Sequence, residues 1–549
     1  MQGIGQVFYN LPLITALAGG AVLCALACGW AQNRGLRAMR AVLAGVLALH
    51  VVVFLYAAGA YVLFPYEGKS VVEGAVLYNA TGYMHGVQPY RAPAELPFTS
   101  MVYPPAHEMA LAGFMFLTGP SPAGARLLSL LCALGAAVVA GWAVWRRTRG
   151  FWPAALAAMT VVCCYGVTGH WYEQIRCDAM VMFLAALGLA LAERAMERNR
   201  LPVGAMVVLF LALFTKQVAL FAPAAVAFVL WRSDRRRAMA WCAGFAALCL
   251  AAFVAMQVWS GGWFAFHTLR VPFSAGWDLT KFDLASTFIG TAWLVFGAAV
   301  VVAGGECRFQ ISQCRMQNER TEDDGRRTTD DGSRDVDALV ESDATARSAM
   351  IWSAAFFLAL PLCLLQSLKW GAALNAFIPL VPVMAVLFGL GFHRLTQRAD
   401  APAWLPVAAT GLVAMQMALL SYQPLLPSAR DYEAQKRISA WVRAAPGDAF
   451  VSVFSSQVYL NGKPYFGDDV TLGDLERAGA EGGSGLVDAI RKRRFAVMVL
   501  RPKLDPADFA AAVQEHYAAV ERIPMRTDIA RWPYMEVYVP KAAPWRLGE

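Results

Sequence analysis

Charged residues are scarce in this sequence of 549 residues, at 16%, whereas 58% are hydrophobic. With a mean hydropathy of +0.46, this composition excludes an ordinary soluble protein and is typical of a multi-span membrane protein. The last of the eleven cysteines is Cys363, so no disulfide framework is expected in the C-terminal region. A Walker lysine loop, a zinc signature and a nucleophile elbow are also lacking. The chemistry of those motifs therefore has no support in the sequence.

The net charge of +8 does not indicate nucleic-acid binding, because the arginines cluster in short loops between apolar runs, as topology signals do. The first apolar run, Leu11 to Ala31, has no basic residue before it and no convincing cleavage site. We therefore predict a retained span there and not a signal peptide.

Apolar runs long enough to cross about 30 Å of hydrocarbon recur along the chain. They lie at 10–31, 41–64, 124–146, 151–170, 178–193, 237–258, 286–304, 350–368, 371–393 and 403–422. The segment Tyr103 to Gly119 is apolar but short, and it opens with two prolines. If it crossed the membrane, the later arginine clusters would face outward. We therefore predict an interfacial helix on the outer surface.

The segment Leu201 to Trp231 is interrupted at its centre by Thr215-Lys216-Gln217. One continuous helix would bury a lysine in mid-membrane, at a cost of about 2.5 to 3.5 kcal/mol. Two short helices are therefore predicted, with Lys216 at a joint that opens into a protein-lined depression. The fold class that follows is an α-helical polytopic membrane protein of about twelve spans, with both termini outside.

The chain divides into two predicted domains. Residues 1–422 form the transmembrane module, with an outer loop at 65–123 and a charged inner loop at 305–349 that is predicted to be disordered. Residues 423–549 are predicted to form a small soluble α/β domain on the outer face. Its β-like runs are Ala449 to Phe454, Phe495 to Leu500 and Tyr534 to Val539, and its helical patterns are Tyr432 to Ala444 and Ala507 to Val520.

Glu67 is the sharpest candidate for catalysis, because it directly follows a span. Its carboxylate should lie at the water interface, ionised and able to accept a proton. The alternative is a helix cap, since acidic residues are favoured in a first helical turn. Glu73 and Glu95 are weaker candidates of the same kind.

Sparse basic residues near the outer ends of spans, including Lys69, Arg126 and Lys216, suit an anionic headgroup. Snorkelling to the interface is the alternative for most of them. Lys216 is the exception, because its buried joint demands a partner, either Asp178 or a ligand phosphate. Asp178 could instead pair with its neighbouring arginine, and Asn375 could simply bond to a neighbouring helix.

Several short motifs occur together in and after the outer loop. They are Tyr66-Glu67-Gly68, Gly86-x-x-Pro89-Tyr90, Tyr103-Pro104-Pro105, Gly119-Pro120-Ser121 and Arg126-Leu127-Leu128-Ser129. This combination resembles the first outer loop of the GT-C glycosyltransferases, in the branch akin to protein mannosyltransferases and the aminoarabinose transferase of lipid A. Asp178, Thr215-Lys216-Gln217 and Asn375 resemble later landmarks of bacterial members.

The resemblance implies a glycosyltransferase of the bacterial inner membrane. It would move a sugar, hexosyl or pentosyl, from a polyprenyl-phosphate donor to a glycan, lipid or protein acceptor on the outer face, with inversion at the anomeric carbon. The implied base is Glu67, and the implied organisers of the site are Asp178 and Asn375. The donor phosphate would be held by Lys216, Arg126 and Lys69. The aromatic residues implied to bind substrate are Tyr90 and Tyr103. The family usually has an aspartate where Tyr66-Glu67 stands here. Some members use a divalent metal at this loop, so a requirement for Mg²⁺ or Mn²⁺ stays open.

Two rival functions share many of these features. A transporter or flippase of lipid-linked sugars would have the same spans and the same polar residues at depth. A non-catalytic scaffold would leave Glu67 without a role. The long outer loop, the C-terminal domain and the lack of an evident inverted repeat favour the transferase.

Overall fold

The computed structural model describes most of the chain. The described residues are 32–68, 72–93, 95–97, 101–305, 333–397, 402, 404–420, 426–480, 483–504, 507–525, 532–542, 545 and 547. The first predicted span, the candidate phosphate holder Lys69 and residues 306–332 of the predicted disordered loop therefore lie outside the described residues. The remainder of that loop, from Ser333, begins a helix.

A helical bundle forms the larger part of the described chain. Its helices are α1 (Gln32–Val62), α2 (Glu73–Met84), α3 (Ala106–Thr118), α4 (Pro122–Thr148), α5 (Phe151–Cys163), α6 (Asp178–Glu197), α7 (Val203–Leu213), α8 (Phe221–Ser233), α9 (Arg235–Trp259), α10 (Phe282–Thr291), α11 (Trp293–Gly305), α12 (Ser333–Ser367), α13 (Val381–Thr396) and α14 (Leu405–Leu419). Short 3-10 turns precede three of them, at Gln217–Leu220, Leu279–Lys281 and Leu374–Leu380.

Among the described residues, six helices are long and apolar enough to cross a membrane. The bent pair α10 and α11 could supply a seventh span, and shorter apolar helices include α5, α7 and α14. The chain is therefore a helical protein with several candidate spans. The total of about twelve stays a prediction, because it also counts short helices and the run at 10–31.

Two predicted spans have a different form in the structure. The run 151–170 is helical only as far as Cys163, after which the chain turns through Gly169 (φ 78°) and His170 (φ 60°). The run 286–304 is broken, since α10 and α11 meet at 83°. The buried side chain of Gln416 enters that break, where it accepts a hydrogen bond from the amide of Leu294 (2.9 Å) and donates one to the carbonyl of Thr291 (3.0 Å). An inserted side chain of this kind is a known cause of a sharp helix bend.

The predicted break around Lys216 is confirmed. Helix α7 ends at Leu213, Lys216 is extended (φ −158°, ψ 132°), and the 3-10 turn Gln217–Leu220 leads into α8. The lysine is 1% exposed, so it lies inside the protein and not in lipid. The structure thus removes the main cost of a mid-membrane lysine by surrounding it with protein.

Residues 429–540 contain a four-stranded sheet flanked by helices. The elements are α15 (Ala429–Ala444), β1 (Asp448–Val451), α16 (Ser456–Leu460), α17 (Asp469–Arg477), α18 (Gly483–Arg491), β2 (Phe495–Leu500), α19 (Ala507–His516), β3 (Tyr517–Pro524) and β4 (Tyr534–Pro540). The strand order is β1-β2-β4-β3, with β1 and β2 parallel and the other pairs antiparallel. The three predicted strands are present.

Strand β3 was not expected, because the helical pattern at 507–520 overlaps it. The helix α19 ends at His516, and the next residue, Tyr517, already pairs with Pro540 of β4. Tyr517 and Ile523 face the protein interior, at 2% exposed each. Pairing with β4 and burial of these two side chains therefore override the local helical preference.

The sheet region packs against the bundle. Val271, in the broken helical segment Trp263–Ser274 after α9, belongs to the same buried cluster as Phe450 of β1 and Leu475 of α17. The outer loop makes a second contact, where the rings of Tyr78 and Tyr465 stack with centroids 4.1 Å apart. These contacts enclose the space in which the candidate site lies.

Candidate active site

A cavity of about 570 Å³ lies between the bundle and the C-terminal sheet region. Its wall is formed by α2, the first turn of α3, the joint before α8, the segment 268–277, the end of α12 and the N-terminal part of α17. The ionisable or amide side chains on this wall include Tyr103, Glu108, Arg176, Lys216, Gln217, Lys369, Asn375 and Asp474. The rest of the wall is largely apolar, so the cavity suits a ligand with both a polar and an apolar part.

Asp178 organises a buried cluster at the wall of this cavity. Its Oδ1 accepts a hydrogen bond from Nζ of Lys216 (2.6 Å), and its Oδ2 accepts one from Nε of Arg176 (3.0 Å). Nδ2 of Asn375 also donates to this carboxylate, at 3.2 and 3.3 Å. We call these four residues the Asp178 cluster. The carboxylate itself is not part of the cavity wall, whereas its three partners are.

The Asp178 cluster has two cations for one carboxylate. Burial alone would lower the pKa of Lys216, but the charge of Asp178 reverses this and raises the pKa above its ordinary value. The pKa of Arg176 is raised in the same way. Both groups therefore stay charged, and the excess positive charge faces the cavity. An anion such as a phosphate is the ligand that this arrangement favours.

The predicted base Glu67 is not among the residues that line the cavity. It is 1% exposed, and its two carboxylate oxygens accept hydrogen bonds from the backbone amides of Gly74 (2.9 Å) and Ser456 (2.6 Å). These amides lie in the first turns of α2 and α16. The structure therefore agrees with the alternative in which Glu67 caps a helix. We do not assign the proton transfer to Glu67.

Arg126, predicted to hold phosphate, has all five N–H donors occupied by protein acceptors. Its guanidinium donates to the carboxylate of Glu73 and to the carbonyls of Tyr61, Phe64 and Tyr66. Glu73 also accepts hydrogen bonds from backbone amides, and both side chains are buried. This pair fastens the end of α1 to the starts of α2 and α4. We therefore correct the phosphate role of Arg126 to a structural one.

The two predicted substrate-binding tyrosines have different positions. Tyr103 lines the cavity, and Nζ of Lys216 lies 5.4 Å from the centroid of its ring. Tyr90 is fully buried behind it and donates its hydroxyl hydrogen to the carbonyl of Tyr103 (2.9 Å). Tyr90 therefore supports the wall and does not form it.

The chain is similar to known proteins both in sequence and in fold. The sequence model of the family described as dolichyl-phosphate-mannose-protein mannosyltransferase matches residues 102–259. Two crystal structures of ArnT from Cupriavidus metallidurans are similar over nearly the whole chain. The apo structure gives a TM-score of 0.55 at 13% identity, covering 92% of this chain and all (100%) of ArnT. The structure with undecaprenyl phosphate gives 0.53 at 13% identity, covering 91% and 98%.

This chain has the GT-C fold. The resemblance inferred from the outer-loop motifs is thus confirmed. No curated protein sequence matches the chain significantly. The matched family segment, 102–259, contains five of the polar wall residues named above, Tyr103, Glu108, Arg176, Lys216 and Gln217, and it also contains Asp178.

Sequence reasoning missed both carboxylates on the wall of this cavity, Glu108 and Asp474, and Asp474 is paired with Arg477. Glu108 lies in the first turn of α3, lines the cavity and is 3% exposed. Its Oε2 has no hydrogen-bond partner among the described residues, and burial raises its pKa to about 8. The motif Tyr103-Pro104-Pro105 just before it was the available signal, because it placed the start of a helix in the outer loop.

The GT-C resemblance left a divalent metal open. In the described part of the chain, no group of three or more His, Cys, Asp or Glu side chains comes together as possible ligands. The oxygens of Glu67 face backbone amides, which are donors and cannot share those oxygens with a cation without moving. These residues do not fit a metal at the outer loop, and we assign no step to one.

Proposed function

We propose that the protein is a membrane glycosyltransferase that moves a sugar from a polyprenyl-phosphate donor to an acceptor of the cell envelope. The reaction takes place on the outer face of the inner membrane and inverts the anomeric carbon. The observation that carries this proposal is the pair of cations, Lys216 and Arg176, held by Asp178 against a cavity that is otherwise largely apolar. The GT-C fold supports it.

The cavity wall has the character that a lipid-linked phosphate requires. Its apolar part includes large side chains with exposed surface, among them Phe273, Trp277 and Leu365. Its cationic part includes Lys216 and Arg176. An isoprenoid tail would contact the first group, and its phosphate would pair with the second. ArnT, whose fold this chain shares, has been crystallised with undecaprenyl phosphate, a lipid of this class.

The same cations account for catalysis of sugar transfer. When the bond between the anomeric carbon and the phosphate oxygen breaks, negative charge grows on the departing phosphate. Lys216 and Arg176 are already fixed by Asp178, so they stabilise that charge without first reorganising. Asn375 donates to the same carboxylate and helps to hold it in place. The acceptor, a glycan, a lipid or a protein, would approach from the outer side.

The test is a transfer assay with purified protein, a panel of labelled polyprenyl-phosphate sugars and an envelope extract. We expect labelled product with the native chain and a loss of about 100-fold or more in Lys216→Met. The matched control is Lys436→Met, because Lys436 is exposed on α15 and away from the cavity. Movement of donor across vesicles without transfer would overturn the proposal in favour of a flippase. Absence of transfer with every donor would also overturn it.

A further inference from the structure

Inverting transfer to a hydroxyl group requires a base for the acceptor's proton, and the Asp178 cluster cannot supply one. Both oxygens of Asp178 are bonded to cations and to Asn375. The oxygens of Glu67 and Glu73 are likewise bonded to amides or to Arg126. Such bonds make Asp178 and Glu73 poor proton acceptors, because protonation would break them. Burial raises the pKa of Glu67 to about 8, but this side chain is not among the residues that line the cavity.

Glu108 differs from these carboxylates in two respects. It lines the cavity, and its Oε2 is buried without a hydrogen-bond partner in the described parts of the chain. Leaving a buried polar atom unpaired costs about 1 to 3 kcal/mol, so such an atom calls for an explanation. A hydroxyl group of a bound acceptor would supply the missing partner.

Backbone contacts fix Glu108 on the same cavity as the phosphate-holding cations. The amide of Ala106, at the start of α3, donates to the carbonyl of Phe214 (3.0 Å), at the end of α7. The side chain of Gln217, next to Lys216, donates to the carbonyl of Val102 (3.0 Å). The start of the Glu108 helix and the Lys216 joint are therefore tied together, and the cavity wall includes both side chains.

We propose that Glu108 is the catalytic base of this protein. The inference rests on the proposed function above and names the residue that completes it. As the acceptor oxygen forms its bond to the anomeric carbon, its proton passes to Oε2 of Glu108. The bond from that carbon to the phosphate oxygen breaks, and the electron pair leaves with the polyprenyl phosphate. Lys216 and Arg176 hold the additional negative charge. The cycle closes when Glu108 returns the proton to water.

Glu108 is expected to change its charge near neutral pH, whereas the pKa values of the neighbouring groups named here lie away from neutrality. Burial raises the pKa of Tyr83, Tyr90 and Cys177, each of which interacts electrostatically with Glu108. Burial lowers the pKa of the adjacent His107 to about 4. The two cations of the Asp178 cluster stay charged. Burial also lowers the pKa of Lys369, another residue of the cavity wall, so a Lys369 variant is included in the pH measurement.

The first experiment compares Glu108→Gln, Glu108→Asp and the control Glu95→Gln in the transfer assay. Glu95 is an exposed carboxylate of the same outer loop, outside the cavity wall. We expect kcat to fall about 100-fold or more in Glu108→Gln while the KM for donor is kept, and partial recovery in Glu108→Asp. The native rate should rise with pH up to about 8 and then level, because the base acts only when ionised. Lys369→Met should keep that rise.

Adding azide distinguishes a folded variant that lacks only the base from a variant that has failed to fold. Azide carries no proton at neutral pH, so its attack on the anomeric carbon needs no base. We expect Glu108→Ala with added azide to form a glycosyl azide of inverted configuration and release polyprenyl phosphate, whereas Lys216→Met should form none. Equal transfer rates in Glu108→Gln and Glu95→Gln, or no azide product, would overturn the role of Glu108. Absence of transfer by the native chain would instead refute the proposed function itself.

Discussion

At the scale of single residues, Asp178 is the centre of the site, because one carboxylate fixes two cations and an amide. Its pairing partner Lys216 is almost completely buried. Removing one member of a buried ion pair leaves an uncompensated charge, and this costs about 3 to 5 kcal/mol when no other partner is present. Here Arg176 remains as a second partner, so the cost should lie near the lower limit.

The first prediction separates stability from activity at this cluster. Lys216→Met should lower the free energy of unfolding by about 3 kcal/mol, and adding Asp178→Asn should recover none of it, because Arg176 would then lose the Asp178 carboxylate. Neither variant should transfer sugar, since both lack the cation. Thermal unfolding in detergent, measured beside the transfer assay, tests this. Full activity in the double variant would contradict the role of Lys216.

The second prediction concerns the buried pair of Glu73 and Arg126. Burial would raise the pKa of Glu73, but Arg126 and two backbone amides hold it below its ordinary value of 4.5. The stabilisation is therefore complete above about pH 4.5 and is lost as the pH falls below it. Glu73→Gln should cost about 3 to 5 kcal/mol at neutral pH and weaken the acid sensitivity of the melting temperature. Glu95→Gln is the exposed control, and an unchanged melting temperature in Glu73→Gln would contradict the assignment.

At the scale of elements, the outer loop and the C-terminal sheet region meet at one tight contact. Glu67 bridges the first turns of α2 and α16, and Tyr459 donates its hydroxyl hydrogen to the carbonyl of Gly74 (3.1 Å). A methyl group on Gly74 would lie 2.4 Å from Oγ of Ser455 and 2.7 Å from the amide nitrogen of Ser456. Glycine is therefore needed at this position for close approach and not for its backbone angles.

The third prediction follows from that approach. Gly74→Ala should reduce the free energy of unfolding by about 1 to 3 kcal/mol, because the two elements must move apart. Gly113→Ala in α3 is the matched control, since its added methyl meets no atom within 4 Å and alanine favours a helix. Differential scanning fluorimetry of both variants would decide. Equal melting temperatures would show that α2 and α16 are not in tight contact.

At the scale of the whole molecule, the fourth prediction tests the orientation on which the outer-face assignment depends. Cysteine introduced at Glu95, exposed in the outer loop, should react with a membrane-impermeant maleimide in intact cells. Cysteine at Arg198, exposed in an arginine cluster after α6, should react only after permeabilisation. The unsubstituted chain gives the background from its own cysteines. The reverse pattern would place the cavity on the cytoplasmic side.

Much of the architecture could be predicted from the sequence, because few structures can accommodate long apolar runs or a lysine in the middle of such a run. The break at Lys216 and its pairing with Asp178 follow from the cost of a charge in hydrocarbon. The long helices α4, α6 and α9 follow from apolar runs of sufficient length. These features depend on local sequence, and local sequence is directly visible.

Features that depend on distant partners could not be predicted in the same way. Gln416 bends α10 against α11 from another helix, and β4 turns the end of a helical pattern into β3. Glu67 meets Ser456, almost four hundred residues later in the chain. A carboxylate near a span end is equally compatible with a cap and with a base until its partners are known. Only the fold distinguishes Glu67 from Glu108.

The contact of Glu67 and Gly74 with Ser456 has a consequence for protein engineering. A chimaera that exchanges only the sheet region between two proteins of this fold would join surfaces that do not match at this contact. The segment from Glu67 to Tyr78 should therefore be exchanged together with the sheet region, because the two form one transplantable unit although the sequence separates them widely.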